Sequence, residues 1–204
     1  MKPKITLRKA LNDPELLGSA LGGDSWANWR AMLLAANGEP LEPAELSAFR
    51  EFTGRTEPPQ TRVDELWCAI GRRGGKSRAM AALAAYYAGL CDHSDTLVRG
   101  EKGLLLLVAQ DKRAAKISLD YIQGCFEATP LLNQLVKERQ RDELRLTNGI
   151  VIESAHPLYA AFVGLLVSLL YVTRSPFGVA MSQSIPIRKS STPFVLHVQQ
   201  PTAR

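Results

Sequence analysis

Between a short apolar run, Glu65-Leu66-Trp67-Cys68-Ala69-Ile70, and an alanine-rich stretch from Ser77 to Leu90, the chain places Gly71-Arg72-Arg73-Gly74-Gly75-Lys76-Ser77. An apolar run of that length reads as a buried strand, and alanine at that density reads as a helix able to pack closely on a sheet. A strand that turns through glycine into a helix brings backbone N–H groups and a helix N-terminus to one point, which suits a phosphate. Gly74 and Gly75 let the backbone approach without a Cβ in the way. Lys76 then reaches the β and γ phosphates of a nucleotide, and Ser77 sets its hydroxyl on Mg²⁺. The common pattern has a glycine five positions before the final Gly-Lys, where this chain has Ile70, so the segment is a variant loop. The bland alternative is a solvated basic turn, and the flanking strand and helix argue against it.

The rest of the chain supplies the elements around that loop. Residues 13–53 read as helical: Asp24 or Ser25 caps a segment through Trp26, Trp29, Met32 and Leu33, whose spacing places the tryptophans in a buried stripe. Asn37-Gly38-Glu39-Pro40 stops this helix, and Pro43-Ala44-Glu45 opens another that runs to about Phe52. Residues 53–60 are a loop by composition. Leu104 to Ala109 is a second buried strand, with Asp111 in a turn at its end. Lys112 to Phe126 is a helix, and Leu131 to Lys137 a further one after Thr129-Pro130. Leu144-Arg145-Leu146 and Ile150-Val151-Ile152 flank Thr147-Asn148-Gly149, a hairpin signal. Strand, loop, helix, strand, helix predicts an α/β fold with a parallel sheet flanked by helices.

Charge and cysteine content exclude less than they first suggest. The formal charge is +5, but residues 154–204 hold Arg174, Arg188, Lys189 and Arg204 with no acidic residue, which leaves 21 basic and 20 acidic groups before them. Net charge is therefore poor support for a nucleic-acid face. Cys68, Cys91 and Cys125 form no CxxC pair and no metal-ligand spacing with His93, His156 or His197, and read as reduced packing residues. The basic N-terminus is followed by no apolar segment of the secretory kind, so the expected location is cytoplasmic.

The loop also resembles a family. Gly71-Arg72-Arg73-Gly74-Gly75-Lys76-Ser77 is similar to the departing Walker A loop of phage terminase large subunits, with an arginine at the second position and Gly-Lys-Ser/Thr at the end. Phe52-Thr53-Gly54-Arg55 with Pro58-Pro59, and Arg78-Ala79-Met80-Ala81, look like the same group, over roughly residues 24–153. The resemblance implies a P-loop NTPase-type sheet, ATP and Mg²⁺ as ligands, and Arg72 at the γ-phosphate as a trigger of hydrolysis. Gln60 would contact the adenine, although by its own surroundings it reads as a loop side chain. The family's partners are double-stranded DNA, a terminase small subunit and a portal protein, with a homo-oligomer as the complete motor in the host cytoplasm.

An ATPase of this kind also needs a strand ending in Asp-Glu, the Asp for Mg²⁺ and the Glu for water. No apolar run after residue 111 is followed by such a pair. The parallel sheet is then expected to be incomplete, with Ile70 and residues 104–108 exposed and solubility low. After Glu153 the composition changes, with no acidic residue and seven serines in 51 positions. A one-base shift of frame across residues 171–179 permits an Asp-Glu pair behind an apolar run, which makes 154–204 an out-of-frame tail. A competing reading takes residues 158–172 as a membrane helix, but fifteen residues fall short of a bilayer's roughly 17 to 25. No membrane partner is expected.

The expected organisation is a helical N-terminal region at 1–60, a partial P-loop ATPase domain at 61–153 and the tail. Its expected role is that of a terminase motor fragment that binds ATP and hydrolyses it poorly or not at all. The alternatives are a non-catalytic prophage remnant and a small P-loop ATPase or helicase-like protein.

Overall fold

The computed structural model describes residues 1–71, 73–98, 100–109, 111–155, 168–171, 179–182 and 194–197, the last three segments as backbone strands. In chain order the elements are β1 (Lys2–Pro3), α1 (Leu7–Asn12), a 3-10 turn (Asp24–Trp26), α2 (Ala27–Ala36), α3 (Pro43–Thr53), β2 (Glu65–Ala69), α4 (Lys76–Leu90), β3 (Cys91–Asp92) and β4 (Gly103–Val108). They continue with α5 (Lys112–Glu127), α6 (Pro130–Asn133), β5 (Val136–Arg139), β6 (Glu143–Leu146), β7 (Ile150–Ala155), β8 (Ser168–Tyr171), β9 (Val179–Ser182) and β10 (Phe194–His197).

The fold is mixed α/β, and its main sheet is mixed rather than parallel as expected. The order is β5-β6-β7-β4, with β8 along the other edge of β4. β4 is parallel to β7 and β8, whereas β5, β6 and β7 form an antiparallel meander. Connection length decides this, because a three-residue turn can join only antiparallel neighbours. Thr147-Asn148-Gly149 is that turn: Gly149 takes φ +87° and the Asn148 side-chain oxygen accepts from the Ile150 N–H at 3.1 Å. Leu144 faces Ile152 and Arg145 faces Val151, so the hairpin forms with the expected residues.

β2 stands apart from this sheet, hydrogen-bonded to β10 in parallel and β9 antiparallel. With strands on both edges of β2 and β4, Ile70 and Leu105 to Val108 are buried, contrary to the expected exposure. The other correction is at residues 131–137, where α6 is a single turn opened by Thr129, whose hydroxyl accepts from the Leu132 N–H at 3.3 Å. Val136 to Arg139 then pairs with β6 as a strand.

α4 runs through the core and buries residues from Ala79 to Gly89 on every side. Its six alanines help, since neighbours can approach the backbone closely where a side chain is a single carbon. α5 lies alongside it and buries one face, including Leu119, Ile122 and Phe126. Asp111 caps α5, its carboxylate accepting from the Ala114 N–H at 2.7 Å, so the strand-end turn expected for it is the start of a helix. Tyr86 and Tyr87 send their hydroxyls out of the core to the Ile5 carbonyl and the Asn37 side-chain oxygen, each at 2.8 Å.

The N-terminal helices cover α4 and are tied to each other by charge. The Glu39 carboxylate accepts from the Leu7 and Arg8 N–H groups at the start of α1, at 2.6 and 3.1 Å. Arg8 donates to both oxygens of Glu45 on α3, at 3.0 and 2.6 Å. Burial pushes the Glu45 carboxyl up, but the Arg8 hydrogen bond, the Glu42 N–H and the nearby guanidinium charges outweigh it and hold it low.

Candidate phosphate-binding site

β2 leads through Ile70 and Gly71 into the basic, glycine-rich turn, and α4 begins at Lys76. Arg73 at φ +64° and Gly75 at φ +77° are both left-handed, and these two reversals swing the chain from the strand into the helix. Gly75 is the residue before the first turn of α4, and its carbonyl accepts from the Arg78 and Ala79 N–H groups at 3.1 and 3.0 Å. Within the turn the Gly74 N–H reaches the Gly71 carbonyl at 3.4 Å. Gly71 and Arg73 are exposed, while Gly74, Gly75, Lys76 and Ser77 are half-buried. The turn therefore places Lys76 and Ser77 in the first turn of a fifteen-residue helix, where the helix dipole favours an anion.

The loop rests on α2, which sequence reasoning did not foresee. Trp29 donates its indole Nε1–H to the Gly74 carbonyl at 2.8 Å. A Cβ on Gly75 would lie 2.8 Å from the Cη2 and Cζ3 atoms of Trp26 and 3.3 Å from Trp29 Nε1. Gly75 is thus required twice, by its backbone angle and by the ring against it. The Arg78 guanidinium lies 4.9 Å from the centre of the Trp26 ring, and Nε and Nη2 donate to the Ala20 and Ser19 carbonyls at 2.6 and 3.0 Å. The tryptophans are half-buried against the loop, not members of a fully buried stripe, and neither Asp24 nor Ser25 caps a helix here.

The other end of α2 holds the approach to β2. Gly38, at φ +67°, lies so near the backbone of Thr61 that a Cβ would be 2.4 Å from its carbonyl carbon. The Val63 N–H donates to the Ala36 carbonyl at 2.9 Å. One helix therefore contacts the chain just before the strand and just after it. The signal for this lay in the spacing of Trp26, Trp29 and Gly38, but the loop lies 45 residues beyond Trp29 and no local pattern joins them.

Arg72 lies outside the described residues, as do most of the positions assigned to the shifted frame and much of the apolar stretch at 158–172; four residues of the latter form β8. Gln60 is exposed and donates to the Pro58 carbonyl at 3.2 Å, the local arrangement its surroundings suggested. The three cysteines are free and buried, and burial raises their thiols, Cys68 to about 12 and Cys91 and Cys125 to about 11. No helix of the described residues is long and apolar enough to cross a membrane. No family model matches the chain, and no curated protein matches it.

Proposed function

We propose that the chain is a nucleotide-binding module whose phosphate site is the turn from Gly71 to Ser77. The observation that carries this reading is the path of the backbone, in which a strand reverses through two left-handed residues directly into the first turn of α4. Lys76 would bring positive charge to the β and γ phosphates of ATP, and the Ser77 hydroxyl would ligate Mg²⁺, which neutralises phosphate charge when bound. Gly71, Arg72, Arg73, Gly74 and Gly75 complete the enclosure, with Arg72 as the γ-phosphate contact. The residues suit such a ligand, because glycine adds no side chain to the loop and its half-buried members stand at the helix start.

The larger assignment is to the motor of a phage terminase, in which ATP drives double-stranded DNA into a procapsid with a small subunit and a portal as partners. It rests on the basic variant loop and its neighbouring residues. Since no apolar run after residue 111 ends in Asp-Glu, the chain is assigned binding without efficient hydrolysis.

The test is MgATP binding and turnover by the protein beside Lys76→Ala. Binding that the substitution abolishes, with no turnover, is the expected result. Turnover that depends on Lys76 would overturn the assignment of a motor fragment and require an acidic pair elsewhere.

A further inference from the structure

We propose that Trp29 and Trp26 are positioning residues of the phosphate loop: Trp29 fixes the orientation of the Gly74–Gly75 peptide, and Trp26 backs the loop at Gly75. The inference rests on the nucleotide-site reading above and goes beyond it by assigning the N-terminal helix a part in ligand binding.

The peptide between two glycines is the easiest in any loop to turn over. A flip changes ψ of the first residue and φ of the second by half a turn, and glycine accepts both signs of φ with little cost. Left alone, the Gly74–Gly75 unit would therefore present its N–H or its carbonyl to a phosphate with similar ease. The first attracts an anion and the second repels it. All peptides described here are trans, so the carbonyl and the N–H of one unit point in opposite directions. The indole Nε1–H of Trp29 takes the Gly74 carbonyl at 2.8 Å. It thereby turns the Gly75 N–H away from α2 and holds it there.

Trp26 adds a steric stop. Its ring edge fills the space beside Gly75 that a Cβ would need, so the backbone cannot move towards α2 without collision. The ring is itself held by the Arg78 guanidinium, which is anchored on the Ser19 and Ala20 carbonyls. Both ends of α2 are tied to the chain that flanks β2, through Val63 and Gly38 on the side before the strand and Gly74 on the side after it. The indoles are thus fixed relative to the loop and hold a peptide in the orientation an anion needs before the anion arrives.

The experiment measures binding of inorganic pyrophosphate and of MgATP to wild type, Trp29→Phe and Lys76→Ala by calorimetry, with circular dichroism to verify folding. Trp29→Phe keeps an aromatic ring and removes the donor; it is expected to weaken both ligands by the same factor, about fivefold for one hydrogen bond. Equal loss for the two places the effect at the phosphates. A loss for MgATP alone would make Trp29 a base contact and overturn the proposal, as would a folded Trp29→Phe that binds both ligands like wild type while Lys76→Ala does not. If wild type shows no binding that depends on Lys76, the nucleotide reading falls and this inference with it.

Discussion

The two ends of α4 are held in different ways. At the loop end the contacts are directional and few: the Trp29 bond to Gly74, the Trp26 ring on Gly75 and the Arg78 guanidinium on that ring. At the far end the helix is packed. Gly89 sits so close to Phe126 that a Cβ would fall 2.9 Å from the ring, and Leu135 closes the same space. Packing of that sort resists displacement in every direction, whereas a single hydrogen bond resists it in one. The helix is held by packing at one end and by directional contacts at the other.

Breaking the apolar end should cost most. Phe126→Ala removes a fully buried ring and is expected to lower unfolding free energy by about 3–5 kcal/mol, read by urea titration. Pyrophosphate affinity of the folded protein should be nearly unchanged. Gly75→Ala attacks the polar end. A left-handed angle and a ring in the way give an expected loss of about 2 kcal/mol, here with strong loss of phosphate binding. If Phe126→Ala impaired binding as much as Gly75→Ala, the two ends would not be separable.

A smaller effect is expected at Asn148, which donates to the Ala88 carbonyl at 2.7 Å and ties the β6–β7 turn to the far end of α4. Asn148→Ala should cost about 1 kcal/mol by the same titration, because packing there does most of the holding. The smallest effect concerns the N-terminal layer that supports the loop. The Glu45 carboxyl is held below its ordinary value by Arg8, so its contribution is present above the unfolded pKa of about 4.3 and is lost as pH falls further. For a partly exposed pair this amounts to less than about 1 kcal/mol, and Arg8→Met should flatten the acid limb of a stability profile by that much.

The elements that were legible in the sequence are those whose own residues decide them. The apolar runs of β2 and β4, the alanine of α4 and the Asn-Gly turn each carry a local signal, and each element forms where expected. The helix expected over Leu131 to Lys137 stops at Asn133, and Val136 and Lys137 belong to β5, because apolar positions in that stretch suit either period. Pairing with β6 decides the matter, and that pairing is not written in the segment itself. The same limit explains the tryptophans. Their helical spacing is a local signal, but the loop they face is another part of the chain, 45 residues beyond Trp29. The two-residue bridge of β1 with β3 leaves no periodic trace at all.

The alanine of α4 has a mechanical consequence. The helix's fifteen residues span about 22 Å, with six alanines letting neighbours approach the backbone closely. An axial push on one end therefore reaches the other through a continuous hydrogen-bonded helix. The loop sits at one tip and the Asn148 grip on Ala88 at the other. Because packing around Gly89 resists displacement, any motion that filling the loop imparts to the first turn would reach the Asn148 contact as load on one hydrogen bond rather than as movement.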